Sequence, residues 1–221
     1  MQLRIASLTI LCGALASIPA WAQWSYNNGP IDGTTDAWPI NFGYITSNSF
    51  LAGGSVTGLQ FGVWEYPGDV LNSVGWSITS GENGGTEYGS GVASGSNLID
   101  TFISTNQYGY DVDKIAVTGL NVGTTSGTTY WLNLYNAAVS RGDPVYWDEN
   151  SGKGCGGLNG TGQDCPSTAS NNYVGTIPSE AFTLSGGGTI PEPGSVTLFS
   201  SGVLALAGVL RRQLSGRIPP S

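Results

Sequence analysis

The chain contains no histidine, and its 221 residues include one methionine and three cysteines. Without histidine, the usual Ser-His-Asp and Cys-His catalytic arrangements and the commonest metal ligand are excluded. Positive charge is also scarce, with seven Lys and Arg against 15 Asp and Glu. Because an acidic surface repels the phosphate backbone, we expect no nucleic-acid partner.

Helical periodicity is missing between the two chain ends, whereas strand-like alternation recurs there. Residues 128–135 give the strongest strand pattern, with Tyr130, Leu132 and Leu134 on the inward face. The 35 glycines and many aromatic residues also favour strands joined by turns. We therefore predict an all-β domain at residues 23–185, an antiparallel β-sandwich that is jelly-roll-like rather than immunoglobulin-like. Residues 186–190 are predicted to form a Gly-rich linker.

The N-terminus has the pattern of a secretory signal peptide at residues 1–22. Arg4 precedes an apolar run, and Pro19-Ala20-Trp21-Ala22 offers small residues around a cut before Gln23. A buried N-terminal helix is the alternative, but it gives no role to the proline or to the small residues. We therefore expect the protein to be exported.

The C-terminal end combines three features in a fixed order. Pro191-Glu192-Pro193 is followed by 17 uncharged residues, 194–210, and then by Arg211-Arg212. As a helix the uncharged stretch would be about 26 Å long, slightly shorter than a bilayer core of roughly 30 Å. Snorkelling of the arginines would allow insertion, and the positive charge predicts a cytoplasmic tail at residues 214–221.

Residues 191–213 resemble the PEP-CTERM sorting signal of Gram-negative bacteria. The resemblance implies recognition by an exosortase, which is a membrane-embedded transpeptidase-like enzyme, and cleavage near Pro191-Glu192-Pro193. It also implies a link to exopolysaccharide and biofilm, because family members are commonly associated with both. The additional residues 214–221 depart from the usual ending, and an ordinary single-pass anchor is the alternative. We expect an inner-membrane-tethered precursor and then a periplasmic, cell-surface or secreted form.

Two cysteines, Cys155 and Cys165, remain after removal of the signal peptide. An even pair in an oxidising compartment predicts a disulfide that closes a short loop. Two lone cysteines without histidine cannot complete a zinc site.

Three tryptophans are candidate ligand-binding residues because they lie near Asp, Glu, Asn or Tyr in the sequence: Trp64, Trp131 and Trp147. An aromatic face beside polar side chains can hold a sugar, so a carbohydrate-binding module is one hypothesis. The alternative is that these rings belong to the hydrophobic core. For Trp131, the strand alternation predicts the face opposite Leu132.

The carboxylates suggest two further hypotheses. A glycoside hydrolase would need a facing pair, and the candidates are Glu65, Asp69, Asp148 and Glu149. Asp111 and Asp113 are candidate calcium ligands, since alternate strand residues share one face, although a solvated acidic loop would give the same pattern. We predict a non-enzymatic surface or matrix protein with no catalytic residues. Calcium is its single candidate cofactor.

Overall fold

The computed structural model describes residues 22–150, 155–156, 162–163 and 167–188. Within these ranges the chain forms fifteen strands and one turn of 3-10 helix, Gly95–Asn97. The strands are β1 Ala22–Asn27, β2 Ala37–Pro39, β3 Ile45–Leu51, β4 Ser55–Glu65, β5 Leu71–Gly81, β6 Gly84–Ser94, β7 Leu98–Thr105, β8 Asp111–Val122, β9 Thr129–Val139, β10 Tyr146–Asp148, β11 Cys155–Gly156, β12 Gly162–Gln163, β13 Ala169–Asn171, β14 Gly175–Ile177 and β15 Phe182–Gly188. None of the described segments is a helix long and apolar enough to cross a membrane.

The strands form two antiparallel sheets. In the first sheet the order is β12-β11-β1-β15-β4-β8-β7. Strand β10 also pairs with β4, and β2 pairs with β10. Because β8 pairs with β4 along its length, β15 and β10 share the other edge of β4. In the second sheet the order is β14-β13-β3-β9-β5-β6.

Side chains from both sheets form one hydrophobic core. Leu59, Phe61 and Val63 alternate along β4 with at most 1% exposure, and Leu132 and Leu134 on β9 are fully buried. Tyr130 is also buried, as the alternation predicts. The prediction of an antiparallel, all-β, sandwich-like body is therefore confirmed.

The predicted linker at residues 186–190 is wrong for its first three residues. Gly186, Gly187 and Gly188 complete β15 and pair with β1, and the first two also pair with β4. Glycine is needed here because a Cβ at Gly186 would collide with the Ser55 carbonyl group and with Trp24 Nε1. Glycine within a strand can thus indicate close backbone approach rather than flexibility.

Several sequence predictions lie outside the described residues. These are residues 1–21 of the signal peptide, the sorting signal at 191–213, the tail at 214–221 and the last two linker residues. Cys165 also lies outside, so its disulfide with Cys155 stays a prediction.

Candidate functional site

Three carboxylates from neighbouring strands converge on the inner side of the first sheet. Glu65 ends β4, Asp113 lies on β8 and Asp100 lies on β7. The register places Asp113 opposite Val63 and Asp100 opposite Ile115, two core residues whose side chains define the inner face. One oxygen of each carboxylate lies within 4.8 Å of an oxygen of the other two.

This group, which we call the acidic cluster, is shielded from water. Glu65 is 0% exposed and Asp113 is 4% exposed, and Asp100 is half-buried. Neither carboxylate oxygen of Glu65 has a hydrogen-bond partner, and Oδ1 of Asp113 has none. Oδ2 of Asp100 accepts a hydrogen bond from the Leu71 backbone N–H at 2.8 Å. The cluster therefore contains buried acceptors that the described part of the chain leaves unpaired.

Burial and mutual repulsion both favour the neutral form of these acids. Burial, with smaller effects from Asp100 and Asp113 and then from Asp69 and Asp111, raises the pKa of Glu65 to about 8. Burial, reinforced by Asp100 and Asp111, raises the pKa of Asp113 to about 6. Burial also raises the pKa of Asp100, and the backbone hydrogen bonds from Leu71 and Thr101 offset part of that rise.

The predicted calcium pair, Asp111 and Asp113, is divided by the structure. Asp113 belongs to the acidic cluster, whereas Asp111 is engaged by the Thr105 hydroxyl at 2.9 Å and by the Gly68 N–H at 3.1 Å. Sequence reasoning missed Asp100, although Leu98 and Asp100 are two residues apart and would share one face of a strand. A carboxylate on a core-facing position was the signal that could have identified it.

The four hydrolase candidates fall into two buried groups. Asp69 lies near Glu65, and its Oδ1 is 3.9 Å from Nε of Arg141. Asp148 accepts a hydrogen bond from Trp64 Nε1 at 2.6 Å, and Glu149 accepts one from Trp38 Nε1 at 3.2 Å. All four hydrolase candidates are at most 6% exposed. None of these carboxylates presents its oxygens to a sugar in solution.

A second unpaired acid, Glu180, lies beside Asp148 and Glu149. It is fully buried, and neither of its carboxylate oxygens has a hydrogen-bond partner. Burial, with the neighbouring Glu149, Asp148 and Asp36, holds the pKa of Glu180 well above its usual range. Because Glu180 is outside the acidic cluster, it provides a matched comparison for Glu65.

Two of the three candidate tryptophans are not surface residues. Trp147 is 0% exposed, packs against Phe61 and Phe182 with ring centroids 6.2 and 5.7 Å away, and donates to the Ala181 carbonyl at 3.0 Å. Trp64 is 4% exposed because Tyr108 stacks on it at 5.6 Å. Both rings are therefore corrected from candidate sugar platforms to buried packing residues.

The third, Trp131, is half-buried on the outer face of the second sheet, as the alternation predicts. Tyr135 shares that face, and its ring lies across Gly75, where a Cβ would approach the ring carbons to 2.6 Å. Between the two rings, Asn133 accepts a hydrogen bond from Ser47 and donates to Ser77 at 3.1 Å. The arrangement is two aromatic rings flanking a polar row.

The turn between β5 and β6 covers part of this polar row. The backbone N–H of Asn83 in that turn donates to the Ser47 hydroxyl at 3.0 Å, and its side-chain amide donates to Ser170 at 3.2 Å. Asn83 has a positive φ of 53°, which asparagine tolerates better than most residues. A ligand on this face would meet the aromatic rings before the buried hydroxyls.

A cleft of about 360 Å³ lies at another position, between the loop after β2 and the end of β9. Its lining includes Asn41, Phe42, Asn136 and a single carboxylate, Asp143. One carboxylate cannot supply the acid and base of a glycosidase.

No family model matches the chain, and no curated protein or solved structure is significantly similar to it. Functional interpretation therefore depends on the side-chain geometry described above and on the sequence of the two chain ends.

Proposed function

We propose that the protein is an exported, non-enzymatic surface or matrix protein that an exosortase-type enzyme sorts through its C-terminal signal. The carrying observation is the ordered series of Pro191-Glu192-Pro193, 17 uncharged residues and Arg211-Arg212, which directly follows a folded sandwich. Only two residues separate the last strand from Pro191. The precursor is held at the inner membrane, and the processed form is periplasmic, cell-surface or secreted and associates with exopolysaccharide.

We also infer that the sandwich is a jelly roll. Four antiparallel strand pairs support this topology, and they are nested from the chain ends inward: β1 with β15, β3 with β9, β4 with β8, and β5 with β6. The pairs alternate between the two sheets, as they would in one long hairpin wrapped around a core.

The sorting proposal predicts different outcomes for two changes at the tail in a host that has the sorting enzyme. Deletion of residues 190–221 is expected to abolish the membrane-held precursor and the surface retention and to leave only soluble protein, because the apolar segment is lost. Replacement of Pro191, Glu192 and Pro193 by alanine is expected to leave an unprocessed, membrane-held precursor. Immunoblotting of cell fractions measures both location and size. Unchanged surface retention after deletion contradicts the proposal, as does normal processing of the alanine variant, and a wild-type chain that stays unprocessed indicates an ordinary anchor.

A second candidate function is polysaccharide binding by the body itself. It is favoured by the outer face of the second sheet, where Trp131 and Tyr135 flank the polar row around Asn133. Ring faces can contact the apolar faces of sugars, and amides and hydroxyls can pair with sugar hydroxyls. This interpretation retains one of the three tryptophans suggested by the sequence.

If this face binds polysaccharide, Trp131→Ala should weaken binding at least about tenfold, the equivalent of about 1.4 kcal/mol. The measurement is a glycan array followed by tryptophan quenching with the best-binding glycan. Phe102→Ala is the control, because Phe102 is an exposed ring on β7 of the first sheet and should leave binding unchanged. Equal loss in both variants, or none in Trp131→Ala, argues against this face.

A further inference from the structure

The acidic cluster has no internal source of positive charge. In the described part of the chain the basic residues are Lys114 and Arg141. Lys114 is exposed, and it points away from the core because its neighbours Asp113 and Ile115 face inward. Arg141 lies beside Asp69, which is in the segment between β4 and β5. Three converging carboxylates therefore share one site without a basic partner of their own.

Uncompensated carboxylates at this depth are costly. Desolvating an ion costs several kcal/mol even after the protein relaxes, and like charges add Coulombic repulsion. Protonation would remove this charge. Protonation alone would still leave the two oxygens of Glu65 without hydrogen-bond partners. A bound cation would satisfy both the charge and the unpaired oxygens.

We propose that Glu65, Asp100 and Asp113 bind one calcium ion. The ligand atoms are all carboxylate oxygens, which suit a hard cation, and the chain has no histidine to favour zinc or copper. Oxygens bound to one calcium ion at about 2.3–2.6 Å lie at most about 5 Å apart. The separations within 4.8 Å meet that limit. Calcium accepts irregular arrangements of oxygen ligands, whereas magnesium demands a near-ideal octahedron and gives up its water ligands reluctantly.

The surrounding contacts support the site and indicate what the ion does. The Leu71 N–H donates a hydrogen bond to Oδ2 of Asp100 and thereby orients the carboxylate. The other oxygen, Oδ1, takes no part in that bond. Leu71 begins β5 in the second sheet, whereas Glu65, Asp100 and Asp113 belong to the first. The ion would therefore link the edge strand β7 to β8 and β4. The site would lie beside the segment that connects β4 in the first sheet to β5 in the second.

The test compares thermal unfolding of the full chain in EDTA and in calcium, with isothermal titration calorimetry for stoichiometry. We expect one tightly bound calcium per chain, and a rise in Tm of about 5–10 °C when calcium is a hundredfold above its dissociation constant. Magnesium at the same concentration should give a smaller rise. Absence of a calcium-induced rise, or an equal rise with magnesium, overturns the proposal.

Three variants separate loss of the site from loss of the fold. Glu65→Gln should abolish the calcium-induced rise, because it removes a carboxylate ligand, and in EDTA it should melt no lower than the wild-type protein, because the amide has the same shape as the carboxyl group. Glu180→Gln removes an equally buried and unpaired glutamate outside the cluster and should keep the full rise. Asp100→Asn retains the acceptor for the Leu71 N–H and should also lose the rise. A full calcium response in Glu65→Gln or Asp100→Asn contradicts the site.

Discussion

Replacing Trp147 with alanine is expected to lower the free energy of unfolding by about 3–5 kcal/mol. The side chain is fully buried between the sheets and packs edge-on against Phe61 and Phe182. Its loss would leave a large cavity that well-packed neighbours cannot refill. The Ala181 carbonyl, which accepts from Trp147, would keep its hydrogen bond from the Gly62 N–H. Most of the loss is therefore expected from packing rather than from an orphaned acceptor.

Urea denaturation of the full chain measures this effect through the change in midpoint at constant slope. Trp131→Ala is the internal control, because its half-buried ring on the outer face should cost much less. Trp147→Phe should fall between alanine and the wild type, since phenylalanine fills part of the volume. If Trp131→Ala proves as destabilising as Trp147→Ala, the assignment of Trp147 as the core residue of the pair is wrong.

Sequence alone could not distinguish these tryptophans. The strand pattern around Trp131 is long enough to assign its face, and the structure agrees. Trp147 lies on a three-residue strand, too short to show a period, and its burial depends on pairing with Val63 and Trp38. Trp64 faces outward but is covered by Tyr108 from a distant turn. Such non-local cover has no signature near the residue itself.

The acidic cluster shows the same limit. The alternation of Asp111 and Asp113 correctly placed two carboxylates on one face of β8, but it could not show which of them lies free to bind an ion. Glu65 and Asp100 join Asp113 only because β4, β8 and β7 are neighbours in the first sheet. Strand order is determined by nested pairings across the whole chain, and local periodicity does not encode it.

Glycine limits what the sequence can predict at two further places. In strand β6, Gly84–Ser94, glycines occupy several positions and obscure any apolar alternation. Those glycines have a packing role, since a Cβ at Gly89 would approach Val122 of the facing sheet to 2.7 Å. At Gly186–Gly188 the same residue type was interpreted as a linker, but these glycines belong to a strand that pairs with β1 throughout and with β4 at Gly186 and Gly187.

Gly186→Ala is accordingly expected to destabilise the sandwich by about 3 kcal/mol or more, the upper range for overpacking. The new methyl group would meet the backbone carbonyl of Ser55, which cannot move aside as a flexible side chain could, and Trp24 Nε1, which lies 2.6 Å from the Cβ position. Relief would require breaking the hydrogen bond from Trp24 to the Ser55 carbonyl, or parting β15 from β4.

Gly187→Ala is the matched control, one residue further along the same strand. Its Cβ would meet only the Ser55 hydroxyl oxygen, at an ordinary contact distance of 3.7 Å. We expect a change within about 0.5 kcal/mol, or a slight gain, because alanine lowers the entropy of the unfolded chain. Equilibrium urea unfolding of both variants provides the comparison. A flexible linker would tolerate both substitutions equally, whereas a strand in close contact with the Ser55 backbone tolerates only the second, so the difference between them tests whether the folded body includes Gly186.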